Sequence, residues 1–186
     1  MTIPAVFIDA CVLVSAIRRH LLISLADQGQ LYPRWSPRVL METGHAHARI
    51  VSENGRDGAG EAARLITALE AAYPEASVPD TLSETVPIEG PLPDRDDAHV
   101  MQAASAGQAR FILTENMKDF PRKTLKPLGL YARPTGDYFG SLCRRDPVLM
   151  RDVCEQTAKR LDLTQTRFET ALKRAQLGGM IKTLEL

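Results

Sequence analysis

The residues that could do chemistry in this chain are acids: Asp9, Glu42, Asp97 and Asp119, with Asp96 beside the third. Asp9 is the most telling. It interrupts an apolar run, "AVFIDACVLVSA" (residues 5–16), where an unpaired carboxylate costs several kcal/mol (roughly, after relaxation) or takes up a proton. If acids from distant parts of the chain converge, the cluster repels itself unless some members are protonated or a cation neutralises them. Carboxylate and amide oxygens are hard ligands, so the fitting cation is Mg²⁺ or Mn²⁺. A site of that kind suits phosphodiester hydrolysis, with the ion activating water and stabilising the leaving oxygen.

Convergence depends on the elements that carry the acids. Val6–Ile8 reads as a central parallel strand, with Asp9 at its carboxyl end. "VLVSAIRRHLLISLADQG" (12–29) reads as a helix and "LYPRW" (31–35) as an extended connector. Ser36 and Pro37 open a second helix, "SPRVLMETGHAHARIV", which carries Glu42. After the loop "ENGRDGAG" comes an amphipathic helix, "EAARLITALEAAY", stopped by Pro74. "SETVPI" (83–88) is a possible strand. Asp96 and Asp97 open the helix "DDAHVMQAASAGQ", and "ARFILTEN" (109–116) and "PLGLYARP" (127–134) read as further strands. The alternation predicts a parallel α/β sheet with helices on its faces. Ligands of such sheets bind outside the carboxyl ends of the strands. There Asp9 would meet Thr114, Asn116 and Asp119.

Beyond Pro134 every segment reads helical: "TGDYFGSLCRR", then "DPVLMRDVCEQTAKRL" capped by Asp146, then "TRFETALKRAQLGG", where Thr166 and Glu169 have capping-box spacing. The expected organisation is a catalytic unit over residues 1–135 and a helical extension over 136–186 packed on it.

Each of these residues also has an ordinary structural reading. Asp96 and Asp97 suit a helix start, Glu42 a helix surface, and Asp119 and Asn116 a turn. Ser15 and Thr114 could bond to the acids or serve only their own helix and strand. Cys11 reads as a small packing residue and His99 as a surface or packing residue of its helix. Arg18, Arg19, Arg34, Arg38, Arg49, Arg122, Lys123 and Lys126 would position a phosphate backbone if they ring the acids, and otherwise form solvated faces.

Composition removes several alternatives. With 23 basic and 23 acidic residues, the chain has no general attraction for polyanions, so nucleic acid would need a local basic patch or a bound cation. Three cysteines without a CxxC pair argue against a disulfide framework or a zinc ribbon. His45 and His47 cannot share a helical face, and no HExxH, P-loop or GxSxG pattern occurs. No signal peptide or membrane span is expected, and the cytoplasm is the expected location.

Taken together, "FIDACVLVSA", "YPRWSPRVLMET", "PDRDDAHVMQAASAGQARFILTENMKDFP" and "LGLYARPTGDYF" resemble PIN-domain proteins. The nearest likeness is to the toxin components of bacterial toxin–antitoxin pairs. The resemblance runs from the start of the chain to about residue 139. It implies a three-layer α/β/α fold and a Mg²⁺- or Mn²⁺-dependent ribonuclease acting on RNA. It also implies a cognate antitoxin as partner and a possible homodimer. By position the family's metal-holding, catalytic acids fall on Asp9, Glu42, Asp97 and Asp119. Asp96 is a possible substitute for Asp97, Asn116 holds the place of a frequent Asp or Asn, and Ser15 and Thr114 are supporting positions. The chain departs from the pattern at Cys11, where many members have Asn, and after Glu42, where Trp and Arg are expected. A PIN nuclease for RNA processing or DNA, or an idle PIN fold that binds RNA or protein, are the alternative readings.

Overall fold

A computed structural model describes residues 3–186. In chain order the elements are β1 (Ala5–Ile8), α1 (Ala10–Leu13), α2 (Ala16–Asp27), β2 (Tyr32–Arg34), α3 (Pro37–Glu53), α4 (Gly58–Ala72), α5 (Asp80–Ser83), α6 (Ala98–Ala106), β3 (Phe111–Leu113), α7 (Arg122–Leu125) and β4 (Ala132–Arg133). The helical extension adds α8 (Thr135–Arg145), α9 (Pro147–Arg160), α10 (Gln165–Arg174) and α11 (Gly178–Leu184).

The described strands form one sheet in the order β2-β1-β3-β4. All pairings are parallel, with Val6 beside Pro33 and Phe111, and Ile112 beside Ala132. Val6, Phe7 and Ile8 are buried in succession, as are Phe111, Ile112 and Leu113. Side chains alternate faces along a strand, so unbroken burial means that both faces are covered by helices. This is the expected three-layer α/β/α arrangement. Ser36 caps α3 by accepting from Val39 N at 3.2 Å, with Pro37 in the first turn. Asp146 likewise caps α9 through Leu149 N at 3.0 Å.

Four local expectations are corrected. "SETVPI" forms no strand: α5 ends at Ser83, and a turn and coil follow. Val86 and Ile88 there pair with no strand, and the sheet consists of β2, β1, β3 and β4 among the described residues. The fourth strand is instead "YPR" within the supposed connector, and Trp35 continues it by a bridge to Ser77. The long first helix is two helices, with Ser15 extended (ψ 111°) between them. Arg19 closes the break: its guanidinium, buried, donates to Leu13 O at 2.6 Å. Thr166 does not cap the tail's third helix, which starts at Gln165 after Thr164, two residues earlier than a Thr166 cap would place it, and a further helix, α11, follows it.

The extension shares the core of the sheet unit. Phe139, Met150, Val153, Phe168 and Leu172 belong to the same buried cluster as Phe7 and Ile112. α9 packs on α2, where Ser24 and Thr157 hydroxyls meet at 3.2 Å in the buried seam.

Candidate active site

The acids assemble at the carboxyl end of the central strands. The backbone N of Asp9 donates to Leu113 O at 3.0 Å, which fixes Asp9 one step beyond β1 and beside the end of β3. Thr114, fully buried, donates its hydroxyl to Asp9 Oδ2 at 2.7 Å. It accepts from Asn116 N at 3.0 Å, so one threonine sets both the carboxylate and the following loop. Cys11 Sγ also donates to Asp9 Oδ2, at 3.0 Å, and accepts from Glu115 N at 3.3 Å. Burial, then the charge of Asp9, pushes the Cys11 thiol up to about 12, so it remains a donor. Cys11 is therefore a bonded neighbour of the first acid and more than a packing residue.

Asp97 occupies the N-cap position of α6, yet its side chain makes no capping hydrogen bond. It accepts instead from Asn116 Nδ2 at 3.4 Å. Its carboxyl is raised to about 6, by desolvation first and then by the charges of Asp9, Asp119, Asp94 and Glu42. The charge part of that shift follows from the acids lying close enough to be felt at Asp97. Asp119 is buried at the end of a single 3₁₀ turn (Met117–Asp119), with Lys118 Nζ at 3.7 Å.

Glu42 Oε1 is held by Arg38 Nε at 3.3 Å and lies 3.1 Å from His99 Nε2. Desolvation raises its pKa, Arg38 opposes this, and Asp9 and Asp96 add to it. Burial, then Arg38, pushes His99 down to about 4. The imidazole is thus neutral near pH 7, and its contact with Glu42 is a polar approach and not an ion pair. His99, read from the sequence as a surface or packing residue, is a site neighbour, and so is Asp94, which that reading did not single out. Their signals were weak: a histidine two residues after Asp97, and one more acid in "PDRDD".

Two expected neighbours behave differently. Asp96 lies on the exposed side of the turn, where its backbone N donates to Asp94 Oδ1 at 2.9 Å. Ser15 sits at the start of α2, and among the described residues its hydroxyl makes no hydrogen bond to the acids. Of the arginines expected around the acids, Arg19 is committed to α1 and Arg34 to Glu75 O, whereas Arg38 reaches the site and holds Glu42.

The helical extension reaches this rim through Arg18. Its guanidinium donates to Ala175 O, just past α10, at 2.8 Å and lies 3.4 Å from Glu115 Oε2. Glu115 Oε1 accepts from both the backbone N and the hydroxyl of Thr135, the first residue of α8. The segment after β3 is thereby tied to the start of α8 and, through Arg18, to the end of α10.

A shared pattern bears on cation binding. Asp9, Asp97 and Glu42 each have one oxygen engaged, Oδ2, Oδ2 and Oε1 respectively. Among the described residues no side chain or backbone group donates to the other oxygen of any of them. Among the described residues, too, no three such side chains already enclose an ion-sized space. Hard-donor oxygens with free lone pairs and crowded negative charge suit Mg²⁺, which keeps much of its water and takes few protein ligands.

The crowding has a measurable cost without metal. Asp97 holds its proton more tightly in the fold than when unfolded, so its contribution to stability is full below pH 3.8 and lost as pH rises through about 6. In EDTA at about pH 8, Asp97→Asn is expected to stabilise the fold by about 1 kcal/mol after solvent screening is allowed for, roughly 2–4 °C in Tm. The gain should shrink as pH falls below 6. Thermal melts across pH check this, and a Tm difference independent of pH would contradict it.

No curated protein and no solved structure shows significant similarity to the chain. Among the described residues no helix is long and apolar enough to cross a membrane. A family model described as PIN domain matches residues 5–118, from the first residue of β1 to the loop that carries Asn116. The chain belongs to the PIN domain family, whose members are generally nucleases that act on nucleic acid and typically use divalent metal ions.

Proposed function

We propose that the protein is a Mg²⁺- or Mn²⁺-dependent endoribonuclease of the toxin type, with Asp9, Glu42, Asp97 and Asp119 as its acid set. The observation that carries this reading is the placement of Asp9 at the carboxyl end of β1, bonded to Thr114 at the end of β3, with Asn116 linking that strand end to Asp97.

The ion would rest on the free oxygens of Asp9 and Asp97, with Glu42 and Asp119 completing the negative field. The chemistry that such an ion supplies is Lewis-acid polarisation of a phosphodiester and activation of a water. The chain's own groups do the remaining work. Thr114 and Cys11 hold one oxygen of Asp9 and leave the other without a donor among the described residues. Asn116 orients Asp97, and Arg38 with neutral His99 orients Glu42. Asp119, buried beside the rim, adds to the negative field that a cation would neutralise. Asn116 and Thr114 thus act as supporting groups, whereas Ser15 and Asp96 have no such contact to support a role.

The toxin role, with an antitoxin seated near the acid rim, rests on the resemblance carried by "DACVL", "RWS" and "DDAHV". Cys11, Cys143 and Cys154 are all free thiols, which agrees with a reducing cytoplasm. The test is cleavage of structured and single-stranded RNA, and of DNA, in EDTA, Mg²⁺ and Mn²⁺. Metal-restored cleavage of RNA is expected. Cleavage that persists in EDTA, or that is confined to DNA, would refute the assignment. Co-purification with the product of an adjacent small gene tests the antitoxin.

A further inference from the structure

The chain as a whole is neutral, yet one edge of the sheet is not. Two depressions meet at β4. One, of about 620 Å³, begins at Met117, inside the turn that carries Asp119, and is lined by Arg122 and Lys126. The other, of about 300 Å³, is lined by Arg110, Arg133 and Arg145. Tyr131 lines both. Neither is lined by an aspartate or a glutamate, although the chain has 23 acids to 23 bases. Among the described residues none of these five cations is in an ion pair. Arg133 is the best held: it donates to Ser141 Oγ at 2.8 Å and lies over the Tyr138 ring at 5.4 Å.

Tyr131 is placed as a platform. One face stacks on Phe111, with ring centroids 5.3 Å apart and planes 28° from parallel. Tyr131 is nevertheless 44 % exposed, which leaves room for a second flat group against it. β4 is an edge strand, which leaves this side of the sheet open. Unpaired cations spaced around an exposed, backed aromatic ring match the chemistry of a single strand, phosphates on the cations and a base on the ring.

We propose that single-stranded nucleic acid leaves the acid rim past Met117 and runs along the β4 edge, with Arg122 and Lys126 on phosphates nearest the rim, a base stacked on Tyr131, and Arg110, Arg133 and Arg145 on the phosphates beyond. This deepens the nuclease reading and rests on it for the direction of the strand. It also explains how a neutral chain holds a polyanion beside its own carboxylates: the attraction is local, and it lies on the flank of the negative rim. Stacking on one ring is tolerant of sequence, so this groove supplies affinity and register more than base choice.

The test is binding of a short labelled oligouridylate to the full chain in EDTA, where no cleavage occurs, as a function of salt. Arg122→Gln with Lys126→Gln, and separately Arg110→Gln with Arg145→Gln, should each weaken binding at low salt and flatten the slope of log K against log salt by about 1.4, about 0.7 per phosphate contact. Tyr131→Ala should weaken binding about tenfold, and Tyr131→Phe should restore it. Lys159→Gln with Lys182→Gln, on α9 and α11, should bind as wild type. Ultraviolet crosslinking should map to Tyr131. Since four of the substituted cations are exposed side chains, the paired variants remain informative if Tyr131→Ala fails to fold. Wild-type affinity and slope in both cation pairs, or no salt-dependent binding by the wild type, would overturn the groove and leave the cations to an acidic protein partner. If binding follows these variants but no metal supports cleavage, the nuclease reading falls and the groove stands. If RNA is cleaved and the β4 variants bind and cleave as wild type, the groove falls alone.

Discussion

Asp9→Asn is expected to lower metal-dependent RNA cleavage by about 10³-fold or more, equivalent to roughly 4 kcal/mol on the barrier, while the fold persists. The substitution is nearly isosteric, and an amide oxygen can still accept from Thr114, which now donates to Asp9 Oδ2 at 2.7 Å. What is lost is the charge at the carboxyl end of β1, where four separate segments bring acids together. Without metal the variant should melt no lower than the wild type, because one repelling charge has gone from the neighbourhood of Asp97. Single-turnover cleavage in Mn²⁺ and thermal melts in EDTA read the two effects separately. A variant that cleaves at the wild-type rate removes Asp9 from the acid set. One that loses activity only by unfolding shows instead that the carboxylate is structural.

The second large effect concerns the helical extension. Phe168→Ala in α10 is expected to cost about 3–5 kcal/mol, a large part of the 5–15 kcal/mol or so that holds a domain of this kind together. Phe168 is 1 % exposed and belongs to one buried cluster with the strands. Urea unfolding should show a lower midpoint with an unchanged slope. A loss below about 1 kcal/mol would mean that the extension is docked loosely. The partner measurement is Mn²⁺ affinity of whatever fraction stays folded. A drop in affinity beyond that explained by unfolding would show that Arg18, which touches both Ala175 O and Glu115, transmits the state of the tail to the acid rim.

Residue order alone determined the strand–acid junctions. An aspartate placed after Val6–Ile8 has no apolar use, and a buried parallel strand must end at the rim where ligands bind. The same holds for "RFILTEN", and Ser36 with Pro37 marked the start of α3 because those residue types suit few other positions. β2 was less legible because a three-residue strand containing Pro33 has too little periodicity to declare itself, and only its pairing with β1 makes it a strand. The break before α2 was hidden for a similar reason: "VLVSAIRR" has good helical residues throughout, and the interruption is held by a tertiary contact, Arg19 on Leu13 O.

At the site, residue type showed which groups could act, and the tertiary structure decided which of them meet. Cys11 and His99 carry no signal in the chain order. They became part of the acid cluster because α1 and α6 bring a thiol and an imidazole within reach of Asp9 and Glu42. Ser15, equally plausible by position, makes no hydrogen bond to the acids among the described residues, and Asp96 stays on the exposed side of the turn, near enough for its charge to be felt at Glu42. The cations changed places in the same manner. Arg18, Arg19, Arg34 and Arg38 precede or follow the first acids in sequence, yet the fold spends them on carbonyls and carboxylates, while Arg110, Arg133 and Arg145 gather from three distant segments around Tyr131. Local sequence determines what a side chain can do and which element carries it. Which partners satisfy its charge depends on contacts made across a hundred residues, and only the packed chain settles those.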